Sequence, residues 1–338
     1  MGYSFGKRGN SGAVPGAVRR WAIILIFLAM GFLSLMIGVD SSVTPANIFR
    51  LNEQALRTLL TSRLPRTMAV ILSASGLSAA GLIMQAISRN KFMAPSTSGA
   101  TDAAALGVLL SYIVLGRSSH VLQTVFAFTT ALGATLLFTQ VINRLKLREL
   151  VYVPLIGMMY GGVLSALSTV IAYRFDVMQL MSSINLGSFA RIGDFSMIYL
   201  IIPPLILAAI YSTAFSIVGM GEDFSKNLGL AYNRVIFGGL MIVSVITAAS
   251  FVAVGPLPFV GLIIPNMAAY FYGDNLKKTI IDVMLLGAVF VLLCDMVSRL
   301  VIFPYEMSVG FTIGIVGGLL FMVLLIRMTR HGKNPRRG

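Results

Sequence analysis

Ten apolar segments constrain what this chain can fold into more than any other feature. They run over about 21–39, 67–88, 99–116, 121–142, 150–173, 197–219, 235–255, 258–272, 279–301 and 308–327. Most match the roughly 17–25 residues that a helix needs to cross hydrocarbon. A soluble chain of 338 residues could not bury so much apolar surface: 57% is hydrophobic and 11% charged, against roughly 25% charged in a typical soluble domain. Mean hydropathy is +0.88. These values exclude a soluble enzyme, a disordered regulator and a disulfide scaffold, and they predict an all-α integral membrane protein of about ten transmembrane helices. The eighth segment is short and opens with Gly255, Pro256 and Pro258, which predicts a broken or partly re-entrant helix. Segment 21–39 follows a basic stretch but has no A-x-A-like cleavage site, so it is read as a helix and not a leader.

Charge sets the expected orientation. With an even number of spans and both termini on the cytoplasmic side, 18 of the 26 Lys and Arg fall inside, every lysine among them. The other eight are Arg50, Arg57, Arg63, Arg66, Arg117, Arg174, Arg191 and Arg299. The positive-inside rule therefore favours N-in, C-in. Net charge is +14, and because the charges lie between apolar runs a membrane surface explains it better than nucleic acid. The chain divides into a basic N-terminal segment (1–20), one transmembrane domain (21–328) and a basic tail (329–338). Between the first two spans, Ile48, Leu51, Leu56, Leu59 and Leu60 recur at helical spacing within 40–66, predicting a helix along the outer surface. Four arginines crowd into 50–66 and need a reason.

Catalytic chemistry finds little support. No G-x-x-x-x-G-K-[ST] and no H-E-x-x-H occurs, so this chain has no P-loop and no zincin site. The single cysteine, Cys294, lies in an apolar run and is read as a packing residue. His120 and His331 stand apart, and no His, Cys and carboxylate cluster has metal-ligand spacing. Gly193-Asp194 and Gly273-Asp274 lie at span ends, where such pairs make turns. Gly157-x-x-x-Gly161 and Gly310-x-x-x-Gly314 are spaced for tight helix contact.

Polar residues at span depth are functional candidates, because an ionisable group there is costly unless paired or hydrated. Gln85 stands near the end of the second span, and Asp102 at the start of the third. Asp102 suits capping of its own helix as well as a place on a substrate path. Asp295 and Arg299 are four apart on one helical face and can neutralise each other. The loop Gly219-Met-Gly-Glu222-Asp-Phe-Ser-Lys226-Asn-Leu-Gly229-Leu starts with acids and ends in Leu-Gly. That pattern predicts a short helix over 220–230, either a plain connector or a rigid docking element.

Arg63-Leu-Pro-Arg66-Thr, Gly81-Leu-Ile-Met-Gln85 and Arg89-Asn90 resemble the second-helix signature of the iron-siderophore and cobalamin ABC importer permeases (FecCD-type), with Pro95, Gly99 and Ala103 to Gly107 continuing it. Gly221-Glu222-x-x-Ser225-x-x-Leu228-Gly229 resembles the family's coupling-helix motif, with serine where alanine is commoner. Gly255-Pro-x-x-Phe259-Val-Gly-Leu-Ile-Ile-Pro265 resembles its span 7–8 segment, and Glu306-Met-Ser-Val-Gly310 the motif that opens its last helix. The motifs stand in family order from about 20 to 328. There are departures. Asn266 follows Pro265 where histidine is usual, Lys91-Phe92 replaces the commoner Pro-Leu, and Met307 replaces a proline. These variants resemble the branch serving catecholate siderophores, petrobactin-like or anguibactin-like.

The resemblance implies a type II ABC importer permease fold in a bacterial cytoplasmic (inner) membrane. It implies a second permease subunit (a sister chain or an identical copy), two cytoplasmic ATPases and an extracytoplasmic siderophore-binding protein. ATP and Mg belong to the ATPases, with no cofactor on this chain. By the same resemblance Gly221, Glu222, Ser225, Leu228 and Gly229 couple to the ATPase. Arg63, Arg66 and Arg299 dock the binding protein, and Gln85, Asp102 and Asn266 are candidates for the translocation path. Other cargoes of the family, cobalamin or haem, and an ion-coupled secondary transporter using Asp102 or Asp295, are the alternatives.

Overall fold

A computed structural model describes residues 16–38, 47, 52–116, 119–145, 152–190, 196–272 and 276–332. The helices are α1 (Gly16–Met36), α2 (Glu53–Thr58), α3 (Leu64–Ser88), α4 (Ala100–Leu115), α5 (His120–Leu145), α6 (Tyr152–Arg174), α7 (Met178–Ile184), α8 (Ile202–Ile210), α9 (Ser212–Val218), α10 (Glu222–Asn227), α11 (Tyr232–Val254), α12 (Val260–Tyr272), α13 (Leu276–Leu300) and α14 (Val309–Gly332). Each of the ten apolar segments is helical over most of its described residues. Six helices are long and apolar enough to span a membrane. The pair α8 and α9, bent by 62°, makes a seventh candidate span. The apolar stretches of α4, α12 and α14 are shorter. Gly193-Asp194, Gly273-Asp274, Ile48 and Leu51 lie outside the described residues.

Helix α3 is the axis of the fold. Its apolar window is 83% buried, against 11% for α1, and it packs on α11, α12 and α13. A helix enclosed on all sides needs small residues, because the hydrophobic effect does not pull helices together in lipid and close backbone approach must do so. The run Ser73-Ala-Ser-Gly-Leu-Ser-Ala-Ala-Gly81 supplies them. Gly81 lies so close to Gly261 on α12 that a Cβ would overlap the Gly261 carbonyl. Four residues on, Pro265 has no N–H to give that carbonyl, so the bare Gly81 backbone fills the space beside it.

Local chemistry sets the helix ends. Asn52 caps α2 by accepting from the N–H groups of Gln54 (3.0 Å) and Ala55 (3.2 Å). A π turn over Leu59–Arg63 joins α2 to α3. The wide turn lets the chain pass Pro65, which cannot donate within the first turn of α3. Among the described residues the helix expected within 40–66 runs from Glu53 onward and is continuous with the second span instead of lying apart from it. At its other end α3 closes with Arg89 in the left-handed region, φ 50°, and Asn90 N–H donates to the Gln85 carbonyl at 3.0 Å.

The two small-residue motifs divide. A Cβ on Gly157 would meet the Thr97 carbonyl and one on Gly161 the Asp102 carboxylate at 2.6 Å, while Gly310 abuts Gly187 and Pro256 and Gly314 faces open space. Gly81→Ala should therefore lower stability by roughly 1–3 kcal/mol, as overpacking does. Gly31→Ala, with nothing within 4 Å of the new methyl, should be neutral or slightly stabilising. Thermal unfolding of the two detergent-solubilised variants checks this contrast.

Candidate functional site

Two constellations stand at opposite ends of α3, separated by about 37 Å for its 25 residues. The first is ionic and binds α1, α3, α13 and the start of α14. Arg66 Nη1 donates to both carboxylate oxygens of Glu306, at 2.7 and 3.0 Å, and Nη2 to Asp295 Oδ1 at 2.8 Å. The other Asp295 oxygen accepts from Arg299 Nη2. The i,i+4 pair expected from the sequence is therefore present, but Arg66 shares its acid. Asp295 has no exposed surface.

The remaining donors close a helix end. Arg63 Nη1 donates to the carbonyls of Leu35 (2.9 Å) and Met36 (2.7 Å). Arg299 Nη1 donates to those of Ser34 and Ile37, both at 3.0 Å. Two guanidinium groups thus serve the last carbonyls of α1, which have no partner within the helix and carry the negative end of its dipole. Ser34 Oγ adds contacts to Thr67 Oγ1 (3.2 Å) and Arg299 Nη2 (3.2 Å). Gly38 lies against the Arg63 guanidinium, 3.1 Å from where a Cβ would sit. The three arginines named as docking candidates, Arg63, Arg66 and Arg299, are thus brought together in one cluster. Arg63 and Arg299 are 5% exposed and occupied with α1, and only the Arg66–Glu306 pair reaches solvent, at 14% and 21% of their side chains. The open carbonyls at the end of α1 need donors, Arg63 and Arg299 supply them, and no helical periodicity reveals that need.

The second constellation is at the other end of α3. The short helix expected over 220–230 is α10. Glu222 and Asp223 occupy its first turn, and Lys226 its last. Lys226 Nζ lies 2.8 Å from Glu222, and this hydrogen bond and charge hold the exposed ammonium above its ordinary pKa. Ser225 is buried and donates to the carbonyls of Gly221 (2.6 Å) and Ile217 (3.1 Å), tying α10 back to α9. The helix ends in a Schellman turn: Leu230 N–H donates to Ser225 (3.0 Å) and Gly229 N–H to Lys226 (2.9 Å). Gly229, at φ +77°, supplies the left-handed residue this closure requires. Met220, Phe224 and Leu228 stand 65%, 48% and 56% exposed on and beside this helix.

The path candidates separate. Asn266 Nδ2 donates to the carbonyls of Lys91 (2.7 Å) and Leu262 (2.8 Å), so its amide ties the α3–α4 connection to α12. Asp102 lies in the first turn of α4, its carboxylate beside Gly161. Gln85 lines a cavity of about 330 Å³ with Arg89, Pro265 and Thr279, and its Nε2 has no partner. A second cavity of about 280 Å³ lies between α4, α5, α7 and α11. A further ion pair, Arg20 Nε with the buried Asp282 at 2.9 Å, joins α1 to α13, its partners 262 positions apart with no local signal. Among the described residues no group of three His, Cys, Asp or Glu could hold a metal ion.

The profile of the FecCD transport family matches residues 24–327. The chain belongs to that family. It is a multi-pass permease subunit of bacterial ABC importers and not an enzyme. It is 44% identical over 307 residues to the petrobactin import system permease protein YclN of Bacillus subtilis (strain 168), covering 90% of this chain and 96% of that one. It is 40% identical to the ferric-anguibactin transport system permease protein FatD of Vibrio anguillarum, covering 90% and 98%. The fold matches a metal-chelate type ABC transporter in an inward-facing conformation, with TM-score 0.78 at 22% identity over 92% of this chain and 99% of that one.

Breaking the buried acid should be expensive. Asp295→Asn leaves Arg66 and Arg299 without their shared charge and should destabilise the chain by about 3–5 kcal/mol. Glu306→Gln, on the partly exposed side of Arg66, should cost about 1 kcal/mol or less. Thermal melts in lipid nanodiscs rank the two.

Proposed function

We propose that this FecCD-family permease passes a ferric siderophore of the catecholate class inward across the cytoplasmic membrane. The observation that carries this reading is the near full-length identity to petrobactin and anguibactin permeases. In this reading both termini are cytoplasmic, and a second permease subunit completes the channel. Two cytoplasmic ATPases hold ATP and Mg, and this chain holds no cofactor. An extracytoplasmic binding protein delivers the chelate to the end where Arg66 meets Glu306, and Arg63 and Arg299 stiffen that end from within.

Coupling follows from the opposite end. Phe224 and Leu228 are exposed apolar side chains on a helix too short to stand alone, held by Ser225 from beneath and by Gly229 at its end. Such a helix transmits a push instead of absorbing it. Nucleotide-driven closure of the ATPases would move α10, then α9 and α11, and shift a two-state equilibrium of the packed helices.

Uptake of radioactive iron as ferric petrobactin should be lost in cells lacking this gene and in cells lacking the partner ATPase. Uptake that persists without the ATPase would favour an ion-coupled carrier using Asp102 or Asp295. Loss restricted to cobalamin or haem would reassign the cargo within the family. Leu228→Ala should reduce uptake by roughly tenfold, the effect of about 1.4 kcal/mol at an interface, with the chain still present in the membrane. Gly229→Arg should do the same by straining the turn. Wild-type uptake in both variants would remove α10 from the coupling role.

A further inference from the structure

We propose that Glu306 is a placeholder for a carboxylate of the docking protein: in the undocked permease it occupies the outer arm of Arg66, and docking exchanges it for an acidic residue of that partner. This rests on the reading that the Arg66 end receives the binding protein.

Arg66 has two unequal partners. Nη2 is held by Asp295, which has no exposed surface and also bears Arg299. Nη1 is held by Glu306, whose side chain is 21% exposed. Only the second partner can leave without opening the core. Arg63 and Arg299 are committed to the α1 carbonyls, so Arg66 is the member of the trio that a partner can reach. Its Nε has no acceptor, so the guanidinium retains a donor when its outer bonds rearrange.

Exchange keeps the charges balanced. Removing Glu306 alone would leave Arg66 Nη1 without its carboxylate while Asp295 still holds Nη2, a modest cost for a partly exposed pair. An incoming carboxylate restores the pair and its bidentate geometry. Arg66 itself faces two carboxylates, one of them replaceable, whereas a neutral surface offers nothing to replace Glu306. The internal pair therefore selects for acidic partners and lowers their affinity at once, which keeps docking reversible.

The backbone around Glu306 permits a local swing. Met307 N–H donates to the Ser298 carbonyl at 3.0 Å, and Gly310 N–H (2.9 Å) and Ser308 Oγ (2.5 Å) both donate to the Gly187 carbonyl. The start of α14 stays fixed while the Glu306 side chain moves. Before it, Phe303 and Tyr305 are 60% and 76% exposed, and they will report the change.

The test uses the complete transporter in nanodiscs and its siderophore-binding protein, presented with ferric petrobactin. Glu306→Gln should tighten docking by roughly twofold to fivefold at low salt, because the internal competitor loses its charge. Arg66→Gln should weaken docking by roughly tenfold, and adding Glu306→Gln to it should change nothing more. A spin label on Tyr305→Cys, where the native Cys294 is buried, should gain mobility on docking in the otherwise native chain. Unchanged docking by Arg66→Gln would show that this end is not the docking site, and both readings would fall. Weakened docking by Arg66→Gln with no tightening by Glu306→Gln would overturn the placeholder alone. If Glu306→Gln assembles poorly, Glu306→Asp, one methylene short of Arg66, should tighten docking in its place, and failure to do so overturns the exchange.

Discussion

Asp295 is a carboxylate without exposed surface, held between Arg66 and Arg299, and the arrangement of one whole end of the bundle follows from it. A lone ion at that depth is expensive, and a pair pays back only when every remaining donor finds an acceptor. The arginines find theirs on Glu306 and on the last carbonyls of α1. Through this one acid, α1, α3, α13 and the start of α14 share a junction that lipid could not supply. The peripheral helix α1, mostly open to its surroundings along its length, is fixed at its C-terminus by charge.

Along the rest of α3 the cohesion is of another kind. Ala, Ser and Gly bring backbones together, and the contacts at Gly81 and Gly76 leave no room for a methyl group. Gly76 lies against Ile201 and Ile246, so even the irregular turn ahead of α8 is packed on the axis. A central helix held by close contact on all faces can transmit displacement from the α10 end to the Arg66 end, since packed interfaces shift between arrangements instead of deforming smoothly.

Much of this was legible beforehand. The apolar runs located the helices because lipid forces backbone polar groups to pair within each segment. The acids, the Leu228-Gly229 ending and the length of the 220–230 loop foretold α10, since N-terminal acids and a C-terminal glycine are local signals. The Asp295–Arg299 pair was readable from its spacing of four. The destinations of Arg63 and Arg66 were not, because their acceptors stand far away in the chain: the carbonyls of α1 for one and Glu306 for the other, 240 positions on. The backbone acceptor of Asn266, Lys91, was hidden for the same reason, since it stands 175 positions away. The bend between α8 and α9, 62° within one apolar segment, left no signal beyond Pro203 and Pro204.

The sequence by itself determined that this chain is a helical membrane protein, where its apolar helices lie, and which motifs place it in its family, because hydropathy, helix termini and short motifs are local properties. Tertiary structure alone decided that Arg63 and Arg299 turn onto the end of α1, that Glu306 rather than solvent meets Arg66, and that Gly81 must be bare. Those outcomes depend on which helices become neighbours, and the carbonyls and carboxylates that arginines seek are brought within reach only when the bundle closes.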